Sequence, residues 1–525
     1  MNLSPLDFAI FIGYCILIIV IGIWVSREKK GHTKDSTDYF LASKALPWWA
    51  IGASLIASNI SAEQFIGMSG SGFAIGLGIA SYEFMAAVTL LLVAKFFLPI
   101  YIKEGIFTMP GFLKLRYDDR IRTSLAVFWI MLYIFVNLTT VLYLSALALS
   151  VVLGISTGTA ILGLATVAVA YSIYGGLKAV AWTDVVQVVF LVLGGLVTTT
   201  LALDAVSGGN GAIAGFSKLL ADAPQKFDMI LDEANPFYKD LPGMTVLFGG
   251  MWIANVSYWG FNQYIIQRAL AAKSVKEVQW GLSFAAFLKL LIPLVVVLPG
   301  IAAFALNADI SRYDEAYPWL LSNIVPSGIK GLAFAALIAA ALSSLSSMMN
   351  STATIFTLDI YKSHLKKDAN EKQLVAVGRL VSLAAIIIAG FVAEPLLGGE
   401  EQIFQFIQKY TGYVSPGIVV LFVFGLFWKK TTSNAALATA IASVPFSIII
   451  DMSFPEMPFL DQMGLVFLLL SGLIILVSLY ENKARGILPE NFVRIDKKLF
   501  ATDGIFNVAA LFILFVTAAI YIIFW

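Results

Sequence analysis

The chain has a single cysteine, Cys15, and only two histidines. One thiol forms no intrachain disulfide and no cysteine-based metal site. The histidines, His32 and His364, both sit in lysine-rich polar segments. Charge is scarce as well: 13% of the 525 residues are Asp, Glu, Lys or Arg, about half the share of a soluble globular chain. The formal net charge of +1 offers no field to attract nucleic acid.

Apolar sequence is what the chain has in abundance: 59% of its residues are hydrophobic. Runs long enough to cross about 30 Å of hydrocarbon as helices fall near 6–26, 46–71, 77–103, 121–153, 157–174, 178–206, 242–268, 275–307, 328–361, 372–396, 403–428, 433–452, 460–481 and 503–525. These fourteen runs predict an all-α polytopic membrane protein. The start, "MNLSPLDF", lacks the basic region of a secretory signal, so the first run is expected to be a retained helix. Segments after odd-numbered runs are basic ("SREKKGHTK", "KLRYDDRIR", "YKSHLKK", "WKK"), whereas "DMILDEANPFYKD" and "LGGEEQ" on the opposite side are acidic. Basic loops stay in the cytoplasm, so both termini are expected outside it.

One stretch conflicts with its surroundings. "SLIASNISAEQFIGMSGSG", Ser54 to Gly72, packs Ser58, Asn59, Ser61, Glu63 and Gln64 into the second run. Unpaired in lipid, each such group costs several kcal/mol. A similar cluster, "NVSYWGFNQ" from Asn255 to Gln263, interrupts the seventh run, 196 residues and five runs later. An odd number of helices per repeat inserts the second copy upside down, and paired interrupted segments in inverted halves point to a transporter's midplane site. Ser, Gly and Asn also glue helices together, so packing seams are the plainer alternative.

An unwound backbone frees carbonyl oxygens that could ligate a cation. Ser343 and Ser344, about a turn after Ala340 in "AALIAAALSSLSSMMNST", could add hydroxyls. Neutral oxygens suit a weakly held monovalent ion, since Ca²⁺ would call for several carboxylates. Hydroxyls bonded back along their own helix are the alternative. Ionisable groups inside spans are functional candidates by default. Glu83 and Lys289 either form a buried ion pair or join Asn59, Gln64, Asn255 and Gln408 with the rings of Tyr258 and Trp259 in a donor- and acceptor-rich pocket. Such a pocket suits a neutral polyhydroxylated molecule. Asp184 lies close to a lysine at the cytoplasmic end of its run, so an interfacial salt bridge is its plain reading. "GMSG", Gly67 to Gly70, fits an intramembrane serine-protease pattern, but no histidine lies in a span to serve as base. Close packing beside the break is the better account, and no enzyme is expected.

Long blocks of the chain resemble the sodium:solute symporter family, closest to its sodium/glucose cotransporter group. They run from "DYFLASKALPWWAIGASLIASNISAEQFIGMSGSG" through "AYSIYGGLKAVAWTDVVQVVFLVLGG", "YWGFNQYIIQR", "SSLSSMMNSTATIFTLDIYK" and "GLFWKKTTS". The resemblance implies a leucine-transporter-like core of two inverted five-helix repeats, 46–206 and 242–428. An N-terminal helix and loop (1–45), an extracellular loop (207–241) and three C-terminal helices (429–525) would surround it. It further implies a Na⁺ site from the carbonyls of Ala57, Ile60 and Ala340 and the hydroxyls of Ser343 and Ser344, with Asp184 on the ion path. For substrate it implies Asn59, Gln64, Glu83, Asn255, Tyr258, Lys289 and Gln408. Tyr258, beside Trp259, would gate the inner side, and Met68, Tyr82 and Phe404 the outer side.

The implied activity is Na⁺-coupled symport of a galactose- or glucose-type sugar across a bacterial inner membrane by alternating access. Na⁺, sugar and bilayer are the expected partners, with no organic cofactor and no nucleic acid. Another solute (inositol, an amino acid or a sialic-acid-like carboxylate) is the alternative. Two positions depart from the galactose-carrying pattern: Ala86 stands in place of a sugar-contacting serine, and Phe84 in place of tryptophan. A lost hydroxyl partner is worth around 1 kcal/mol, enough to alter the preferred epimer or polyol.

Overall fold

The computed structural model describes residues 4–25, 27, 35–398, 403–485, 489 and 491–525. His32, most of the basic segment 26–34 and most of the acidic segment 397–402 lie outside the described residues. Among those described the regular secondary structure is helical, with one isolated bridge, Leu46 to Ala272.

The elements, in chain order, begin with α1 (Pro5–Val25), α2 (Trp48–Asn59) and α3 (Ser69–Ala74). They continue with α4 (Leu77–Lys103), α5 (Asp119–Ser150), α6 (Thr157–Ala170) and α7 (Gly176–Val206). The short helices α8 (Gly250–Val256) and α9 (Gln263–Leu270) follow. Then come α10 (Val275–Ala305), α11 (Ile329–Leu365), α12 (Glu371–Leu397), α13 (Ile403–Gly412), α14 (Ser415–Phe427), α15 (Ser433–Ser453), α16 (Phe459–Ala484) and α17 (Gly504–Ile523). Ten of these are long and apolar enough to span a membrane alone, or eleven with α13 and α14 counted as one span bent by 46°. The expected fourteen therefore exceed the uninterrupted spans. The difference lies in the shorter α6 and in two runs that are broken where their polar clusters fall.

Burial sorts the helices into core and rim. Within their most apolar windows α11 is 94% buried and α10 78%, against 22% for α1 and α17. The rim helices turn large apolar residues outward, Phe391 and Ile522 among them, as a surface solvated by lipid requires. The broken α2–α3 segment lies along α10, and glycine sets how closely. A Cβ on Gly300 would sit 2.0 Å from the Ser69 carbonyl oxygen, and one on Gly52 2.6 Å from that of Gly281. Small residues at such seams let backbones touch where lipid supplies no hydrophobic drive.

Candidate functional site

The first break is built by local hydrogen bonding. A continuing helix would pair the Ala57 carbonyl with the Ser61 amide and the Ile60 carbonyl with the Gln64 amide. Instead the Ser61 amide donates to the Asn59 carbonyl at 2.9 Å and to Gln64 Oε1 at 3.0 Å, and the Gln64 amide donates to the Ser61 carbonyl at 3.1 Å. Ile60 leaves the helical region, with φ −75° and ψ 87°. Both carbonyls expected to hold an ion thus lose their helical partners. A π-helical turn, Glu63–Met68, then leads into α3, and a second such turn, Ser257–Phe261, ends at the extended Asn262 before α9. Local irregularities of this kind cluster at functional sites.

Helix α11 meets the first break with its serines. Ser344 Oγ donates to the Ser58 carbonyl at 2.8 Å, and Ser343 Oγ donates to Asp184 Oδ1 at 2.5 Å. Bonding along their own helix, the alternative left open by the sequence, is what Ser346 and Ser347 do instead, both donating to the Ser343 carbonyl. A hydroxyl that donates away from a point keeps its lone pairs for a cation there.

Asp184 corrects its plain reading as an interfacial salt bridge. It is completely shielded and lies 3.4 Å from the guanidinium of Arg268, which is equally buried. Arg268 Nε also donates to Ser54 Oγ at 2.7 Å, and its other nitrogens reach Ser347 and the Tyr264 carbonyl. The misreading has a simple origin: an acid near a helix end with a lysine nearby looks interfacial until tertiary packing covers it.

The predicted substrate and gate residues converge on the lining of one cavity. Asn59, Gln64, Glu83, Asn255, Tyr258, Lys289 and Gln408 line it, together with Met68, Tyr82, Trp259, Phe404 and Ala86. Phe84 is buried but is not part of this lining. Lys289 pairs with Glu83, donates to Asn59 Oδ1, and lies 5.0 Å from the centre of the Trp259 ring. Asn59 donates to Tyr258 OH at 3.0 Å, and that hydroxyl in turn meets Tyr264 OH. Both polar ends of Asn59 are therefore engaged within the protein. Gln64 commits its carbonyl oxygen to Ser61, and Asn255 its amide group to the Met251 carbonyl.

On the far side Tyr82 and Phe404 meet edge to face at 5.4 Å. The glycines of "GMSG" do pack closely here: a Cβ on Gly67 would come within 2.9 Å of Phe404 Cβ, and one on Gly70 within 2.8 Å of Asp314 Oδ1. Asp314, in the connection between α10 and α11, accepts from the Ile403 amide at 3.1 Å, next to Phe404. Burial pushes its carboxyl up to about 7. The sequence reading noted Glu63 but gave no site role to it or to Asn137, Asn262 and Thr411, which also line the cavity. Each is a polar residue in an apolar span, and that was the available signal.

The description of the sodium:solute symporter family matches residues 39–443. This chain belongs to that family. The symporter is 54% identical to the sodium/glucose cotransporter of Vibrio parahaemolyticus, over 100% of this chain and 99% of the relative. It is 34% identical to the sodium/myo-inositol cotransporter 2 of Sus scrofa, over 88% of this chain and 72% of that one. Its fold is similar to a substrate-bound, outward-open Na⁺-coupled sialic acid symporter, with a TM-score of 0.79 and 24% identity over 91% and 98% of the two chains. A nucleobase-cation-symport-1 family transporter aligns with a TM-score of 0.53 at 15% identity, over 85% and 96%. The symporter is thus a multi-pass membrane transporter, not an enzyme.

Proposed function

We propose that the protein is a Na⁺-coupled symporter of a neutral sugar of the galactose or glucose type, working by alternating access. The observation that carries this reading is that the lysine on the cavity lining is already compensated. Lys289 is matched by Glu83, and amides and aromatic rings surround the pair. A neutral polyol pairs hydroxyls with such groups and lays an apolar face on a ring, whereas a carboxylate substrate would want a cation of its own. The relative with 54% identity is named for glucose and the inositol relatives are more distant, which favours a hexose over inositol. Ala86 on the lining bears on which hexose.

In this reading Na⁺ is held by the carbonyls of Ala57, Ile60 and Ala340 and the hydroxyls of Ser343 and Ser344. Sugar is held by Gln64, Glu83, Asn255, Lys289 and Gln408, with Asn59 positioning Lys289 and Tyr258. Met68, Tyr82 and Phe404 form the outer gate, and Tyr258 with Trp259 the inner one. The scaffold is fourteen spans, counting α6 and the two broken segments, with inverted repeats at 46–206 and 242–428. The flanking parts are 1–45, 207–241 and 429–525. Both termini face away from the cytoplasm, and the membrane is the bacterial inner membrane.

Energetically one ion per sugar suffices. About 100 mV contributes roughly 2.3 kcal/mol per charge, and a tenfold Na⁺ gradient about 1.4 kcal/mol. Together they sustain an accumulation of several hundred-fold. The test is uptake of labelled galactose and glucose into liposomes holding the purified protein, with Na⁺ outside and K⁺ inside, alongside Ser344→Ala. Na⁺-driven accumulation that the variant loses supports the reading. Na⁺-coupled currents with other solutes and no sugar uptake would overturn the sugar assignment.

A further inference from the structure

Away from the central cavity, two concavities open along α4. The first is a groove between α4, α8, α14 and α16, lined by apolar side chains and by Gly249 and Gly464. Its one polar side-chain atom, Trp252 Nε1, is already committed to the Leu247 carbonyl at 2.6 Å. Phe248 and Leu468 on its rim are 79% and 66% exposed, so the groove opens onto lipid. The second concavity lies at the C-terminal end of the same helix, where Lys103, Glu104, Arg116 and Arg494 stand around Leu115 and Phe492.

Phe96 of the groove and Lys103 of the basic pocket fall on one face of α4. They are two helical turns apart, about 10 Å. The stretch that follows α16 flanks both: Arg494 lines the pocket, and Phe500 meets the ring of Phe96 at 5.4 Å. Arg116 is spent on structure, donating to the carbonyls of Gly425, Trp428 and Thr431. Lys103 and Arg494 are exposed, and Lys103 Nζ donates to the Arg494 carbonyl at 2.9 Å. Neither cation forms an ion pair among the described residues. Lys429 adds a further positive charge beside them, 5.0 Å from the centre of the Phe492 ring. Glu104 is the one acid in the lining.

Hydrocarbon fills any groove that faces lipid, so the groove alone selects nothing. A basic pocket alone accepts any soluble anion. Joined along one helix, the two match a molecule with an anionic head and an apolar tail.

We propose that this face binds one anionic phospholipid, its phosphate held by Lys103 and Arg494 and an acyl chain lying in the groove. Phosphate oxygens accept charge-assisted hydrogen bonds from both cations. The acyl chain rests on Trp252 and Val256 of α8, which leads into the second break. It also rests on Phe97, whose ring meets that of Phe261, within the break, at 5.3 Å. The lipid thus braces the second broken segment from behind, whichever solute the central cavity carries.

The experiment uses the full chain in neutral detergent, stripped of lipid. Phosphatidylglycerol and phosphatidylcholine with the same acyl chains are titrated against it, and glycerol phosphate supplies a head without a tail. Binding is read by native mass spectrometry and by the thermal midpoint. Phosphatidylglycerol should bind about 25-fold more tightly than phosphatidylcholine, about fivefold for each of the two cations. It should also raise the thermal midpoint, and glycerol phosphate at the same concentration should not. Lys103→Gln with Arg494→Gln, both at exposed positions, should erase that preference and leave phosphatidylcholine binding unchanged. Val423→Trp, which fills the groove, should weaken both lipids several-fold.

Equal affinity of the two lipids for the unaltered protein, or a preference that survives the double variant, would overturn the proposal. Glycerol phosphate binding as tightly as the lipid would assign the pocket to a soluble anion and overturn it too. Affinities within twofold of the original in Val423→Trp would remove the acyl chain from the groove.

Discussion

Arg268 and Asp184 face each other at 3.4 Å with both side chains fully shielded from solvent. They join the two halves of the site. From Asp184 the chain of contacts runs to Ser343 on α11, and from Arg268 to the Tyr264 carbonyl. Tyr264 OH then meets Tyr258 OH, which accepts from Asn59, and Asn59 accepts from Lys289. The proposed ion residues and substrate residues thus share one network of buried polar groups. Such a network holds its geometry only when every member is satisfied.

Removing one member of the ion pair leaves the other buried and uncompensated. Arg268→Met should therefore destabilise the folded protein by about 3 kcal/mol, read as a lowered thermal midpoint in detergent. Arg268→Met with Asp184→Asn should recover part of that loss. If the single and double variants are equally unstable, the pair is not what the guanidinium contributes.

Ser344→Ala deletes one of the proposed oxygen ligands and should raise the Na⁺ concentration for half-maximal uptake about tenfold, the order of one hydrogen-bond-sized interaction. Thr352→Val is the comparison. That hydroxyl donates to the Met348 carbonyl of its own helix, and its loss should leave Na⁺ activation unchanged. Equal effects at both positions would remove Ser344 from the ion site.

Asp314 should make stability depend on pH. Its carboxyl is raised from an ordinary 3.8 to about 7 by burial, so the folded state holds a proton that the unfolded state has released between those values. Its contribution is present at low pH and is lost as pH rises toward and through 7. Stability, read through the thermal midpoint, should therefore fall from pH 5 to about pH 7, by up to about 1.4 kcal/mol per pH unit, and level off above it. Arg312 and Glu315 are the neighbouring charges that act on it. Asp314→Asn should flatten this profile, and an unchanged slope would assign the dependence to another group.

Gly300→Ala tests the close approach of α3 to α10. The added methyl would collide with the Ser69 carbonyl, a backbone atom that cannot swing aside. A loss of about 2 kcal/mol is expected, with reduced uptake, since α3 carries the second half of the broken segment. Gly464→Ala, where a methyl meets nothing within 4 Å, should be silent in both assays.

The sequence by itself determined where this chain must depart from a regular helix. Polar clusters at Asn59–Gln64 and Asn255–Gln263 cannot remain unpaired in lipid, and both segments break there. Glu83 and Lys289 were legible for the same reason, as rare charges in apolar runs that need compensation. The tertiary structure alone decided who meets whom. Arg268 lies at the end of a run and Asp184 near the end of another, positions that look interfacial until neighbouring helices cover them. The bend between α13 and α14 and the aim of Glu63, Asn137 and Thr411 into the cavity were likewise out of reach. Hydropathy records the cost of burying a polar group, but the direction in which that group finds its partner is set by helix packing.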